Sequence, residues 1–382
     1  MSTRVDSASV VPLRGFVPAL EGMRALAAIG IVVTHVAFQT GAATSPLMGR
    51  VWGRFDLTVA IFFALSGFLL WRPHAAQARG LEQAQSARRY FWSRAVRILP
   101  AYWVVVVLVL LFLPHAGGDY RVWLANLSLT QVFVPLTLTE GMTQMWSLSV
   151  EVAFYLLLPV FAWLMVRLRG SSARYRIWVL LGAAVVTLSW AFVPVTTADA
   201  IHHDNWLPGY FPWFAAGMVL AEVSVGPQIW VHRWARRRWV MPSCAVAAFV
   251  LSATPLAGPQ GLVRPEPWQF EFKIVVGAVL AFAMLSPLVL ADSGRRHRVL
   301  EHPVMLTLGR WSYGIFIWHL AVLAVVFPVF GIVPFSGGTW FVLAVTLALS
   351  IPVAAASYAL VEEPARRRLV PRKSAVTASA SR

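Results

Sequence analysis

Long apolar runs, interrupted at short intervals by clusters of arginine, govern what this chain can become. Ten such runs recur, at 19–38, 55–71, 101–114, 146–166, 177–194, 207–223, 240–256, 272–290, 304–327 and 339–360. About 20 apolar residues cross the hydrocarbon of a bilayer as a helix. A helix also satisfies its own backbone polar groups, as lipid demands. Composition agrees: 58% of the 382 residues are hydrophobic and only 13% charged, against about a quarter charged in soluble domains. The expected fold class is an all-α integral membrane protein of about ten transmembrane helices. The third run is the shortest, and Trp123–Pro135 after it is semi-apolar, suited to the interface or to re-entering the membrane.

The net charge of +16 is almost all arginine, lysine occurring only at Lys273 and Lys373. It falls on alternate connections. Arg72, Arg79, Arg88, Arg89, Arg94 and Arg97 follow the second run, Arg167, Arg169, Arg174 and Arg176 the fourth, and Arg233 with Arg236 to Arg238 the sixth. Arg295, Arg296 and Arg298 follow the eighth, and the tail carries Arg366 to Arg368, Arg372, Lys373 and Arg382. The other connections hold Arg50, Arg54, Arg121 and Arg264 or no basic residue. Basic loops stay in the cytoplasm, so both termini are expected there. The organisation read from this is a cytoplasmic segment over 1–18, a transmembrane domain over 19–368 and a disordered cytoplasmic tail over 369–382. Met1–Val17 carries no cleavable signal, so the first run is expected to direct insertion. Charge clustered in this way encodes topology and membrane-lipid contact; it does not point to nucleic acid. The single cysteine, Cys244, excludes a disulfide framework and a cysteine-rich metal site. No metal-ligand spacing, Gly-rich phosphate loop or G-x-S-x-G elbow occurs.

Ionisable side chains inside apolar runs are costly and mark function by default. Leu20–Phe38 carries Glu21, Arg24 and His35. Arg24 and His35 are eleven residues apart, which returns to within about 20° of one helix face and separates them by roughly 16 Å. In the second run Asp56 is read as interfacial or as a cavity residue, and Ser66-Gly67 as a close-packing site. The basic stretch Arg88–Tyr102 is a loop ending at a proline, for lipid headgroups or for a phosphate, which arginine forks match. Ser147, Glu151 and Tyr155 recur every four residues and form one polar stripe. In the ninth run Arg310 lies at the cytoplasmic end, and His319, seven residues beyond Ser312, shares its face near mid-membrane. These groups suit acid–base or transfer chemistry in a membrane cavity, or a proton relay in a transporter.

Six stretches taken together resemble the acyltransferase-3 family of multispanning inner-membrane O-acyltransferases. They are LEGMRALAAIGIVVTHV, VAIFFALSGFLLWRP, RRYFWSRAVRILPAYW, QMWSLSVEVAFYLLLP, LGRWSYGIFIWHL and VEEPARRRL. They fall in the family's order between about residues 18 and 368. The family's arginine-x10-histidine pattern falls on Arg24 and His35, and its basic motif on Arg94 and Arg97. Its W-S-L-x-x-E falls on Trp146, Ser147, Leu148 and Glu151, and its S-Y…W-H on Ser312, Tyr313, Trp318 and His319. One departure concerns G-V-D-x-F-F, where this chain reads Thr58-Val59-Ala60-Ile61-Phe62-Phe63. Ala60 stands at the acidic position, with Asp56 one turn away.

The resemblance implies an enzyme that takes an acyl group, expected to be acetyl, from cytoplasmic acyl-CoA. The acceptor is a hydroxyl on surface polysaccharide, peptidoglycan, a lipid-linked sugar or a secondary-metabolite glycoside; no cofactor or metal stays bound. Members acetylating peptidoglycan often add an extracytoplasmic hydrolase-like domain; without one, a small glycosidic or lipid-linked acceptor is favoured. Under this reading Arg24, Arg89, Arg94 and Arg97 bind the donor. His35 is the general base or transient acyl carrier, Glu151 orients it, and His319 is a second acid–base or acceptor-binding group. Asp56, Ser66, Trp146, Ser147, Tyr155, Arg310, Ser312 and Tyr313 support the site or hold the acceptor. The His35 ring is expected to share a cavity with the arginines. The alternatives are a proton-coupled transporter or flippase of a glycan or lipid, and a structural subunit of an envelope complex.

Overall fold

The computed structural model describes residues 17–46, 48–84, 86–198, 200–259, 263–291 and 297–369. The described residues contain helices and no strand. In chain order the helices are α1 (Pro18–Gln39), α2 (Gly49–Gly53), α3 (Thr58–Ala78), α4 (Ala87–Phe112) and α5 (Tyr120–Leu127). Then come α6 (Trp146–Leu164), α7 (Arg176–Thr187), α8 (Leu207–Val225), α9 (Trp230–Arg236) and α10 (Val240–Ser252). The last are α11 (Pro267–Leu290), α12 (Pro303–Val329), α13 (Thr339–Ser357) and α14 (Glu363–Leu369). The ends expected in the cytoplasm fall largely on residues 1–16 and 370–382, and Arg295 and Arg296 on 292–296, all outside the described residues.

Each of the ten apolar runs becomes helical. Among the described residues, eight segments are long and apolar enough to cross a membrane. The pair formed by α8 and α9, bent by 99°, makes a ninth. The tenth, α10, has 13 residues, about 20 Å at 1.5 Å each, short of the ~30 Å hydrocarbon core. The bend follows from Gly226 and Pro227, which cannot continue α8.

The third run differs from expectation. The stretch expected as a loop, Arg88–Tyr102, is the first half of α4, with Pro100 inside the helix. Proline removes only one backbone donor, and tertiary packing compensates for it in membrane helices. Tyr313 on α12 donates to the Ile98 carbonyl at 2.9 Å, fastening α4 beside the proline. Arg94, Arg97 and Ile98 thereby occupy one helix face.

Small residues set the closest crossings, as membrane packing favours. A Cβ on Gly67 would strike the Phe214 carbonyl, and one on Gly217 the Ala64 carbonyl. This reciprocal contact runs α3 antiparallel to α8. Gly309 on α12 meets the Glu21 carbonyl of α1 in the same way. The arginine-rich connections gather at one end of the bundle, called here the basic end.

A buried carboxylate locks that end. Glu222 on α8 is 0% exposed and accepts from Trp71 Nε1 at 2.8 Å, Arg79 at 2.6 Å and Arg176 at 2.6 Å. Three helical segments thus share one charge cluster. At the opposite end Arg54, 3% exposed, donates to the carbonyls of Ser252, Ala257 and Gly258 at 2.6–2.8 Å. Asp56 pairs with Lys273 at 2.5 Å.

Candidate active site

Two polar centres lie inside the bundle. The first is a cavity of about 340 Å³ walled by α1, α3, α4, α6 and α12. Arg24, Arg94 and Arg97 supply its cations and Glu21 and Glu151 its carboxylates. Arg24 pairs with Glu21 at 2.6 Å, one turn away on α1. Glu151 accepts from the Ser66 hydroxyl and, at 2.6 Å, from the Tyr155 hydroxyl. Among the described residues, Arg94 and Arg97 make no ion pair. Two guanidinium groups therefore face a cavity with no carboxylate claiming them. Such a pair can accept an anionic group, since the guanidinium fork matches carboxylate and phosphate oxygens alike.

Hydroxyls complete the wall. Ser147 donates to the Gln144 carbonyl at 3.1 Å, and Ser312 and Tyr313 line the side formed by α12. The polar stripe of α6 expected from spacing thus faces the cavity through Ser147, Glu151 and Tyr155. The Ser66-Gly67 pair divides its work: Gly67 packs α3 on α8, while Ser66 holds Glu151.

The second centre is a histidine pair. His319, 0% exposed, places Nδ1 at 2.7 Å from the Phe316 carbonyl and 3.1 Å from that of Ile315. A carbonyl only accepts, so Nδ1 carries the proton and Nε2 of the neutral ring is an acceptor. His319 Nε2 lies 3.0 Å from Nδ1 of His35, so Nδ1 of His35 donates. That leaves Nε2 as the basic nitrogen of His35. The rings sit 5.1 Å apart, tilted by 33°.

The two centres are not continuous. Neither histidine lines the arginine cavity, whose wall includes Phe62 and Phe316. These rings meet edge to face at 6.1 Å, and Phe316 lies 6.1 Å from the His319 ring. The expected shared cavity of the arginines and His35 is therefore not formed; Phe316 lines the arginine side and lies against the His319 ring.

Other expectations are corrected by tertiary packing. Glu151 does not orient His35, because Ser66 and Tyr155 occupy it; His319 holds that position. Asp56 is paired with Lys273 and does not line the cavity in place of the acid missing at Ala60. Arg89 is exposed and outside the cavity. Arg310 is exposed and donates to the Thr307 hydroxyl at 3.0 Å. Trp146 packs on Tyr210, ring centres 4.9 Å apart, away from the cavity wall. Glu222 and the two phenylalanines were not singled out as polar or site residues by the sequence. Phe62 and Phe316 each belong to one of the six stretches, but nothing in an apolar run distinguishes a partition from packing. Among the described residues no group of histidine, cysteine and carboxylate side chains could hold a metal ion.

Fold and site together define a polytopic helical membrane domain built around a cationic cavity and an adjoining histidine pair. The chain belongs to the acyltransferase-3 family: the family profile, described as an acyltransferase domain, matches residues 17–359. It is similar, at 24% identity over 380 residues, to the peptidoglycan O-acetyltransferase OatA of Listeria monocytogenes. That match covers 93% of this chain and 56% of the Listeria protein's length. It is similar at 28% identity to acyltransferase MdmB of Streptomyces mycarofaciens, covering 80% of this chain and 79% of that one. At 26% identity it is similar to nodulation protein 10 of Rhizobium leguminosarum bv. viciae, covering 93% and 95%. No solved structure matches.

Proposed function

We propose that this chain moves an acyl group, with acetyl the expected one, from cytoplasmic acyl-CoA to a hydroxyl of a sugar-containing acceptor. The observation that carries this reading is the unpaired Arg94–Arg97 face of the cavity. Coenzyme A thioesters carry phosphates at one end and the acyl group at the end of a long arm. A cation pair at one end of an apolar bundle suits that asymmetry. The basic end faces the cytoplasm under the positive-inside rule, the side on which acyl-CoA is available. Peptidoglycan O-acetylation by the Listeria relative, as its name states, supports a glycan hydroxyl as acceptor.

In the proposed step the acceptor oxygen attacks the thioester carbonyl carbon while His35 Nε2 takes the hydroxyl proton. The C–S bond then breaks, and the thiolate leaves as the thiol after receiving that proton. The products are an ester and coenzyme A. His319 acts as a positioning residue. Its Nε2 holds His35 in the useful tautomer and accepts a hydrogen bond from the imidazolium as it forms, the logic of an oriented base. Phe62 and Phe316 must part for the thioester to meet His35.

Purified protein in vesicles, given acetyl-CoA and a glycan acceptor, is expected to release thiol in proportion to ester formed. Acceptor movement driven by a proton gradient without thiol release would replace this reading with transport.

A further inference from the structure

A second cavity, sharing no residue with the first, lies between α7, α8, α10 and α11. It holds about 750 Å³. Its walls are almost wholly apolar along α8 from Pro212 to Val223, roughly 16 Å of helix. Charge appears at one end only, where Arg79, Arg174 and Glu222 line it. Glu222 is already claimed by Arg79 and Arg176. Arg174 makes no ion pair among the described residues; it donates to the Tyr175 hydroxyl at 2.9 Å and lies over that ring. The short α9 turns away from α8 by 99° at this same end. It contributes Trp230 and Trp234, edge to face at 4.7 Å, with Arg233 exposed beside them. Tryptophan and arginine on a short segment lying across the bundle mark a membrane interface.

We propose that this groove is a binding site for an anionic phospholipid of the leaflet at the basic end. One acyl chain fills the apolar length, and the phosphate sits against Arg174. Charge complementarity selects this occupant. An uncharged lipid leaves Arg174 unmatched, while a water-soluble phosphate leaves the apolar length empty. An arginine at the membrane surface contributes about 1 kcal/mol toward anionic lipid, so a specific site can favour it severalfold over zwitterionic lipid. The site is independent of the acyl-transfer reading and would anchor α7 and α9 on the trunk whatever the bundle catalyses.

The chain supplies its own probe. Cys244 is its single cysteine and lines the groove. Full-length protein in nanodiscs of phosphatidylcholine alone, or mixed with phosphatidylglycerol, is treated with N-ethylmaleimide and alkylation of Cys244 is followed by mass. Phosphatidylglycerol is expected to slow the reaction, and Arg174→Gln to raise the half-protecting fraction about fivefold. Equal rates in the two lipids with the unaltered protein would overturn the proposal, whatever the variant's folding. So would an unchanged lipid dependence in Arg174→Gln, which would assign the protection to surface potential. Protection by glycerol phosphate added to phosphatidylcholine nanodiscs would also overturn it, by making this a soluble-phosphate site.

Discussion

Replacing Arg94 and Arg97 tests how the cavity recognises its donor. Neither guanidinium makes an ion pair among the described residues, and both line a partly enclosed space. A charge-assisted hydrogen bond contributes roughly 1.5–3 kcal/mol, and hydration of the open mouth favours the lower half of that range. Arg94→Gln and Arg97→Gln should each raise the KM for acetyl-CoA by about 10- to 45-fold, with kcat nearly unchanged, because binding is lost equally from ground and transition states. The double variant should fall short of the product, since adjacent sites couple. The assay is the initial rate of thiol release in proteoliposomes at varied donor. N-acetylcysteamine thioester, which has no phosphate, is the control. All three variants should use it as the unaltered protein does. Loss of activity with the phosphate-free thioester, or a fall in kcat at constant KM, would refute the docking assignment.

Three further outcomes follow from the geometry. Glu222→Ala leaves buried Arg176 and half-buried Arg79 without their carboxylate, and breaking a buried ion pair costs about 3–5 kcal/mol; detergent-solubilised variant should melt well below the unaltered protein, and an unchanged Tm would remove the locking role. Phe316→Ala opens the partition between the cavity and His319, so thiol release without acceptor should rise relative to ester formation. A ratio that stays fixed would mean the rings do not separate the two centres. His319→Ala should lower kcat while leaving donor KM intact, with partial rescue in His319→Asn; equal losses in both would make the role one of bulk packing.

Much of the architecture can be read from hydropathy because lipid makes the rule simple. Stretches such as Pro267–Leu290 and Pro303–Val329 have to be helical, and they are. The beginning of α4 escapes that logic. Its arginines and Pro100 read as a connection, yet the helix continues because its basic face turns into a cavity made by other helices. Glu222 is hidden for a related reason: one carboxylate in an apolar run gains its meaning from Arg79 and Arg176, which lie 143 and 46 residues away. The site was legible as a set of residues more than as an arrangement. Spacing places Arg24 and His35 on one face and Ser147, Glu151 and Tyr155 on another. It does not say that His319 meets His35 across 284 residues, or that Ser66 and Tyr155 occupy Glu151. Those pairings depend on close crossings at Gly67, Gly217 and Gly309, whose partners no local pattern names.

In the proposed step the His35 imidazole takes the proton from the acceptor hydroxyl. The most direct measurement is acceptor-dependent thiol release from acetyl-CoA by purified His35→Gln, alongside a donor-binding titration on the same preparation. Donor should still bind as tightly as to the unaltered protein while release falls to background. Turnover retained at the unaltered rate would contradict it.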